Sequence, residues 1–193
     1  MEEFYLEPIV GSKIEKSSFE VYYNGKISEA SLEDYKGKWI VLFFYPADFT
    51  FVCPTELEEL AGLYSEFQSE GAEIISISTD TAFVHKAWHD NSPAIGKVQF
   101  PMAADPTGEI AKMLGVYLPD EGLALRGSFI LNPEGEIKSM EVNDNSIGRS
   151  AKELLRKLRA AKFVAENDGL VCPASWEPGG DTLKPGEDLI GKI

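Results

Sequence analysis

The chain has 193 residues, 18 of them basic and 32 acidic, for a formal charge of −14; this size suits one domain with a full core. Such an acidic surface repels phosphate backbones and anionic lipid, so nucleic acid and membrane are disfavoured as partners. The longest apolar run, Trp39 to Tyr45, falls far short of the about 20 residues of a membrane-spanning helix, and the start Met1-Glu-Glu-Phe-Tyr5 is acidic where a signal peptide is basic, so a cytoplasmic protein is expected.

In chain order, residues 19–30 contain Asn24-Gly25, a pair that favours a tight hairpin turn. Trp39 to Tyr45, ending at Pro46, reads as a strand buried on both faces. A short polar and aromatic loop follows. From Pro54 to Phe67 the residues Leu57, Leu60, Ala61, Tyr64 and Phe67 recur at helical spacing. Glu73 to Thr79 reads as a second buried strand, 81–90 as a helix containing Trp88, and Gln99 to Ala103 as a third strand. Asp105-Pro106 predicts a helix start, with Asp as cap and Pro in first position. Gly127 to Leu131 and Glu136 to Val142 form a hairpin across Asn132-Pro-Glu-Gly135. A last helix spans about 150–165, with Ala151, Leu154, Leu155 and Leu158 on one face. Strands alternating with helices imply an α/β protein built from βαβ units. The terminal hairpin makes the central β-sheet mixed, with flanking helices. This is the element order of a thioredoxin-like fold over 1–166, followed by a Gly- and Pro-rich C-terminal extended arm over 167–193.

There are two cysteines, Cys53 and Cys172, and two histidines. A reducing compartment argues against a permanent disulfide, and no Cys-x-x-Cys pair exists to seed a metal site. The bland alternative is two inert buried thiols. Cys53 follows the central strand and precedes Pro54, a residue suited to a first helical turn, so its sulfur sits at a helix N-terminus. Unpaired N–H groups and the helix dipole favour an anion there, and the thiolate is the reactive form of cysteine. Strand ends are also where α/β sheets carry ligands. Thr50 offers a hydroxyl, and Pro46 and Phe49 can shield the sulfur from bulk water. Cys172 lies in a tail that gives a packing cysteine little purpose, which favours a redox role with a partner thiol in the same chain or another.

Pro46-Ala-Asp-Phe-Thr50-Phe-Val-Cys53 resembles the P-x-x-x-T-x-x-C signature of the peroxiredoxins. Leu170-Val-Cys172-Pro-Ala-Ser-Trp176 is similar to the resolving-cysteine segment of their typical two-cysteine subfamily. Thr79-Asp-Thr81, His85-Lys-Ala-Trp88, Asp105-Pro-Thr-Gly108, Asp120-Glu-Gly122, Arg126 and Gly148-Arg149-Ser150 also follow family patterns. The ending Asp188-Leu-Ile-Gly-Lys-Ile193 is similar to that of the peroxidase subunits of bacterial alkyl hydroperoxide reductases. The resemblance implies an antioxidant oxidoreductase that reduces hydrogen peroxide and organic hydroperoxides through a redox-active centre without metal, haem or flavin. Cys53 is then peroxidatic, with Thr50, Arg126 and Pro46 around it and Glu56 and Arg149 in support. Cys172 is the resolving cysteine, forming an intersubunit disulfide bond that a flavoprotein disulfide reductase or thioredoxin reduces. Homodimers assembling into a decamer, a pentamer of dimers, are implied as well.

Several features have plainer readings. Without the resemblance Arg126 is a surface ion-pair residue, Glu56 a solvated first-turn acid, and Thr50 a loop cap. His85 and His89 share a helix face but lack further ligands, so packing or surface roles are expected, with Trp88 packing near the site. Gly186 to Lys192 mimics a phosphate loop but lacks the following Ser/Thr and helix. A general disulfide oxidoreductase would need Cys at position 50, where Thr stands. A chaperone-like ring is compatible with peroxidase activity. Peroxide-sensitive relatives carry a Gly-Gly-Leu-Gly insertion and a Tyr-Phe extension. Residues 91–98 read Asn-Ser-Pro-Ala-Ile-Gly-Lys-Val and the sequence stops at Ile193, so resistance to over-oxidation is expected. Mass spectrometry at low peroxide should find Cys53 as thiol or disulfide, with little sulfinic acid.

Overall fold

A computed structural model describes residues 9–14 and 18–192. The acidic start at Met1 to Tyr5 and the terminal Ile193 lie outside the described residues, as do the expectations drawn from them. The chain divides into two compact units, one ending at Ala151 and the other beginning at Lys152.

The first unit opens with a hairpin, β1 (Ser18–Tyr23) and β2 (Lys26–Ser31). Its turn places Asn24 at φ 50° and Gly25 at φ 76°, the left-handed pair that a two-residue turn requires. Strand β3 (Trp39–Phe44) is buried at every position. Helix α1 (Cys53–Ser69), strand β4 (Ala72–Ser78), helix α2 (Ala82–Asn91) and strand β5 (Met102–Ala104) follow. β5 is shorter than the run 99–103 suggests because Pro101 has no N–H to give a ladder; its carbonyl instead accepts from Ser76 at 3.0 Å. Among the described residues these strands and the later β8 (Arg126–Leu131) and β9 (Ile137–Asn143) make a seven-stranded sheet ordered β2-β1-β5-β4-β3-β8-β9. The β3–β4 and β4–β5 pairs are parallel and the rest antiparallel, so the sheet is mixed as expected.

Alternation along β3 sorts its side chains by face. Ile40, Leu42 and Phe44 join Ile75, Ile77, Phe129 and Leu131 in one core, which Ile110, Ala111 and Leu114 close over. On the other face α1 packs on β4, and α2 packs on β1 and β5. Within the apolar stripe of α1, Leu57, Leu60 and Phe67 have no exposed surface. Among the described residues no helix is long and apolar enough to cross a membrane.

The helix expected at Asp105-Pro106 starts later, as α3 (Glu109–Met113). Residues 105–108 form a turn instead, closed by Gly108 N–H donating to the Asp105 carbonyl at 2.8 Å. Gly108 is left-handed, φ 68°, which interrupts any helical run through it. The Asp105 carboxylate still caps the helix, accepting from Ile110 N–H at 3.2 Å and Ala111 N–H at 2.8 Å. A two-stranded ribbon that the sequence does not announce, β6 (Tyr117–Leu118) with β7 (Leu123–Ala124), turns through Gly122.

Helix α4 (Ala151–Glu166) opens at the last residue of the first unit and runs into the second, with Leu154, Leu155 and Leu158 buried. The Gly- and Pro-rich segment after it has little regular structure, with a bridge between Val171 and Leu183 and a short 3₁₀ turn at 187–189. It is tethered to its helix. Trp176 is buried with its ring 4.8 Å from that of Phe163, and Arg156 donates to the Trp176 carbonyl at 2.8 Å.

Gly108→Ala is expected to destabilise the protein by about 1–3 kcal/mol. The new Cβ would clash with the Tyr117 ring in a backbone conformation that alanine resists. Thermal unfolding measures the loss, and a melting temperature equal to the parent's would contradict it.

Candidate active site

Strand registers bring the site together. β8 runs antiparallel to β3 with Phe43 opposite Ser128, so Arg126, two residues earlier, lies beyond the carboxyl end of β3. β9 pairs Asn143 with Arg126, which brings the loop 144–150 to the same edge. The chain leaving β3 crosses that edge as residues 45–52 and enters α1 at Cys53, with Pro54 in its first turn.

Cys53 has no solvent exposure. The Arg126 Nη1 donates to its sulfur at 3.3 Å and to Glu56 Oε2 at 2.7 Å. The Arg126 Nε and Nη2 both donate to the Asn145 carbonyl, at 3.0 and 2.8 Å. Four of the five guanidinium donors are thereby committed among the described residues, and the fifth, on Nη2, has no partner among them.

Glu56 lies one helical turn after Cys53 and is 3 % exposed. It also binds Arg149, accepting from Nε at 2.9 Å, from Nη2 at 3.2 Å and from the backbone N–H at 2.8 Å. Arg149 Nη1 donates to the Gly127 carbonyl at 2.8 Å and to Ser128 Oγ at 3.0 Å. Its guanidinium lies over the Phe43 ring, 3.5 Å from the centroid. Burial pulls Arg149 below the usual arginine range, while Glu56 raises it. Two guanidiniums against one carboxylate leave a surplus positive charge beside the sulfur, favourable to an anion in a dry site.

Thr50 sits in the same loop, but its hydroxyl donates to the Ala47 carbonyl at 2.7 Å. Its oxygen therefore offers lone pairs to the site instead of the donor that the sequence suggests. Pro46 is buried at the end of β3. Phe49 is 57 % exposed and its ring lies 6.0 Å from that of Trp88. The second unit holds Cys172, half-buried, with its sulfur 3.8 Å from the Ala160 carbonyl. Burial pushes this thiol up, with Arg156 opposing.

Sequence reasoning missed three contributors. Asn145 holds Arg126 through its main-chain carbonyl, which every residue type has, so no side-chain pattern could reveal it. Phe43 was legible only as core. His85 lies fully buried between Asp48 and the Ala103 carbonyl, so its packing role is also a polar one. His89 Nε2 donates to the Val98 carbonyl at 3.2 Å, and its Nδ1 lies 3.3 Å from the Tyr22 hydroxyl. Among the described residues no cluster of three or more His, Cys, Asp or Glu is placed to hold a metal ion.

The sequence model of the AhpC/TSA family matches residues 10–140. Alkyl hydroperoxide reductase C of Pseudomonas aeruginosa is 50 % identical over 185 residues, covering 96 % of this chain and 99 % of that protein. The protein of the same name from Amphibacillus xylanus is 48 % identical, with 96 % and 99 % covered. Among solved structures, Enterococcus faecalis AhpC superposes with a TM-score of 0.84 at 47 % identity, covering 86 % of this chain and all, 100 %, of that one. The reduced 2-Cys peroxiredoxin of Plasmodium vivax gives 0.89 at 32 % identity, with 94 % and 96 % covered.

Glu56→Ala would strand two buried guanidiniums and is expected to cost about 3–5 kcal/mol. Urea unfolding reads this directly. A loss below about 1 kcal/mol, the range of exposed ion pairs, would show that the carboxylate does not hold the arginines.

Proposed function

The chain belongs to the AhpC/TSA family and is a peroxiredoxin enzyme, and from that premise we propose that it reduces hydrogen peroxide and organic hydroperoxides with Cys53 as the attacking thiolate. The observation that carries this reading is the Arg126 guanidinium donating at 3.3 Å to a fully buried cysteine sulfur at a helix N-terminus.

The chemistry follows from the donors and acceptors around the sulfur. The Cys53 thiolate attacks the terminal oxygen of the hydroperoxide. A sulfur–oxygen bond forms, the oxygen–oxygen bond breaks, and its electron pair leaves on the departing alkoxide or hydroxide, which takes up a proton as alcohol or water. Thr50, whose own hydrogen is bound to Ala47, has lone pairs that accept the hydrogen of the hydroperoxide and orient it. The free Nη2 hydrogen of Arg126 faces the charge that builds on the leaving oxygen, a fixed donor in a water-poor site. Glu56 and Arg149 hold Arg126 in place, and Pro46 closes the strand end above the site.

Cys53 is left as a sulfenic acid. The Cys172 thiol of a second subunit condenses with it, forming the intersubunit disulfide and releasing water. A flavoprotein disulfide reductase of the AhpF kind, or thioredoxin, then returns both sulfurs to thiols by exchange. In this reading residues 1–166 form the peroxidase domain and 167–193 the arm that carries the resolving cysteine. The protein works in the cytoplasm as a homodimer assembled into a decamer and serves cell redox homeostasis. The bacterial AhpC relatives and the lack of a membrane-spanning helix among the described residues support that setting.

Cys53→Ser is expected to abolish peroxide consumption with a dithiol reductant, and retention of turnover would refute the assignment. In the parent, one equivalent of peroxide should give a covalent dimer on non-reducing electrophoresis. The dimer should be absent in Cys172→Ser, which should still consume that first equivalent.

A further inference from the structure

We propose that Tyr45, Asp48 and His85 form a buried latch on the loop that carries Thr50, positioning it for peroxide attack and setting how readily Cys53 is uncovered. The peroxide half of this inference rests on the peroxidase reading above; the uncovering half does not.

Asp48 is the centre of the latch, 7 % exposed. His85 is completely buried. Its Nε2 lies 3.1 Å from the Ala103 carbonyl of β5; a carbonyl only accepts, so this nitrogen carries a hydrogen. Its Nδ1 lies 2.8 Å from Asp48 Oδ2, so a second hydrogen is shared between them. Tyr45 donates its hydroxyl to Asp48 Oδ1 at 2.7 Å. Burial first, and then the Asp48 charge, push the Tyr45 phenol well above its usual value, which keeps it a donor. The Asp48 N–H donates to Asp80 Oδ2 at 2.8 Å, and that same oxygen takes the Ser78 hydroxyl at 2.8 Å. One residue is thus gripped from the ends of β3 and β4, from α2, and through His85 from β5.

Its neighbours carry the consequence. Ala47, immediately before Asp48, supplies the carbonyl that orients the Thr50 hydroxyl. Phe49, immediately after, has φ 55°. For a residue with a side chain this left-handed conformation is unfavourable and persists only where the surrounding structure holds it. Cys53 has no exposed surface, so no second thiol reaches its sulfur until this loop and the first turn of α1 move. The bonds to Asp48 therefore oppose opening while they shape the closed site.

Substitutions at the centre separate bonding from bulk. Asp48→Ala removes the acceptor that the Tyr45 hydroxyl and His85 Nδ1 share, leaving them only each other at 3.5 Å. Asp48→Asn regenerates every bond without charge: its amide donates to Nδ1, its oxygen accepts from Tyr45, and Nε2–H still serves Ala103. Tyr45→Phe removes the bond to Asp48 and the longer contact with His85 Nδ1 and keeps the ring.

The test uses the full chain. Hydrogen exchange over residues 46–55 and peptide-resolved alkylation of Cys53 by N-ethylmaleimide are measured without peroxide. Stopped-flow then gives the rates of Cys53 oxidation and of the disulfide step. Asp48→Ala should accelerate exchange and alkylation by about tenfold, slow oxidation by about tenfold, and leave the disulfide step as fast or faster. Asp48→Asn should recover most of each change, and Tyr45→Phe should fall between. A folded Asp48→Ala whose loop exchanges like the parent's would overturn the proposal, as would an Asn variant behaving like Ala. If Asp48→Ala does not fold, Tyr45→Phe decides, and parental exchange there overturns it. Exchange and alkylation need no peroxide, so failure of the latch is distinguishable from failure of the peroxidase assignment.

Discussion

One carboxylate shared by two buried guanidiniums is the interaction on which the rest of the site depends. Burying an ion costs several kcal/mol unless other groups replace its water. Glu56 takes donors from both Arg126 and Arg149, and the carbonyls of Asn145 and Gly127 take three more. The Phe43 ring covers the Arg149 face with π density. The cluster still carries one positive charge more than negative, and the vacancy in that balance lies at the Cys53 sulfur.

The same burial creates two opposed requirements. Attack on a hydroperoxide needs a dry, fixed site with donors aimed at departing charge. The proposed disulfide step would need the sulfur brought to the surface. A rigid sheet edge meets the first requirement. The second falls to the short loop before α1, which is joined to the sheet by a handful of polar bonds and includes one residue in an unfavourable backbone conformation. Division of labour between a stiff scaffold and a conditional loop is what α/β folds offer at their strand ends.

Much of this was legible in the sequence, for identifiable reasons. A seven-residue apolar run followed by a loop, Cys and Pro declares a strand end and a helix start, because hydrophobic continuity and proline chemistry are local signals. Cys53 and Thr50 are readable on that basis. Arg126 and Arg149 are not: their role comes from strand pairing over long sequence distances, and only the family resemblance singled them out. Asn145 acts through its main chain and leaves no trace in residue type. His85 looked bland because its partners, Asp48 and Ala103, stand far from it in sequence. At Asp105 the Pro and cap signals were real, but Gly108 and its left-handed turn outweighed them and delayed the helix.

The antiparallel register of β3 and β8 also limits how the gene for this protein can change length. Side chains alternate faces along a strand, so deleting one residue between Arg126 and Ser128 would turn the arginine to the opposite side of the sheet while the hydrogen-bond ladder closed almost as before. The loops at 119–122 and 132–135 face no such parity rule. Insertions and deletions that survive selection should therefore gather in those turns, and the spacing from the core strands to the arginine should be inherited as a fixed unit.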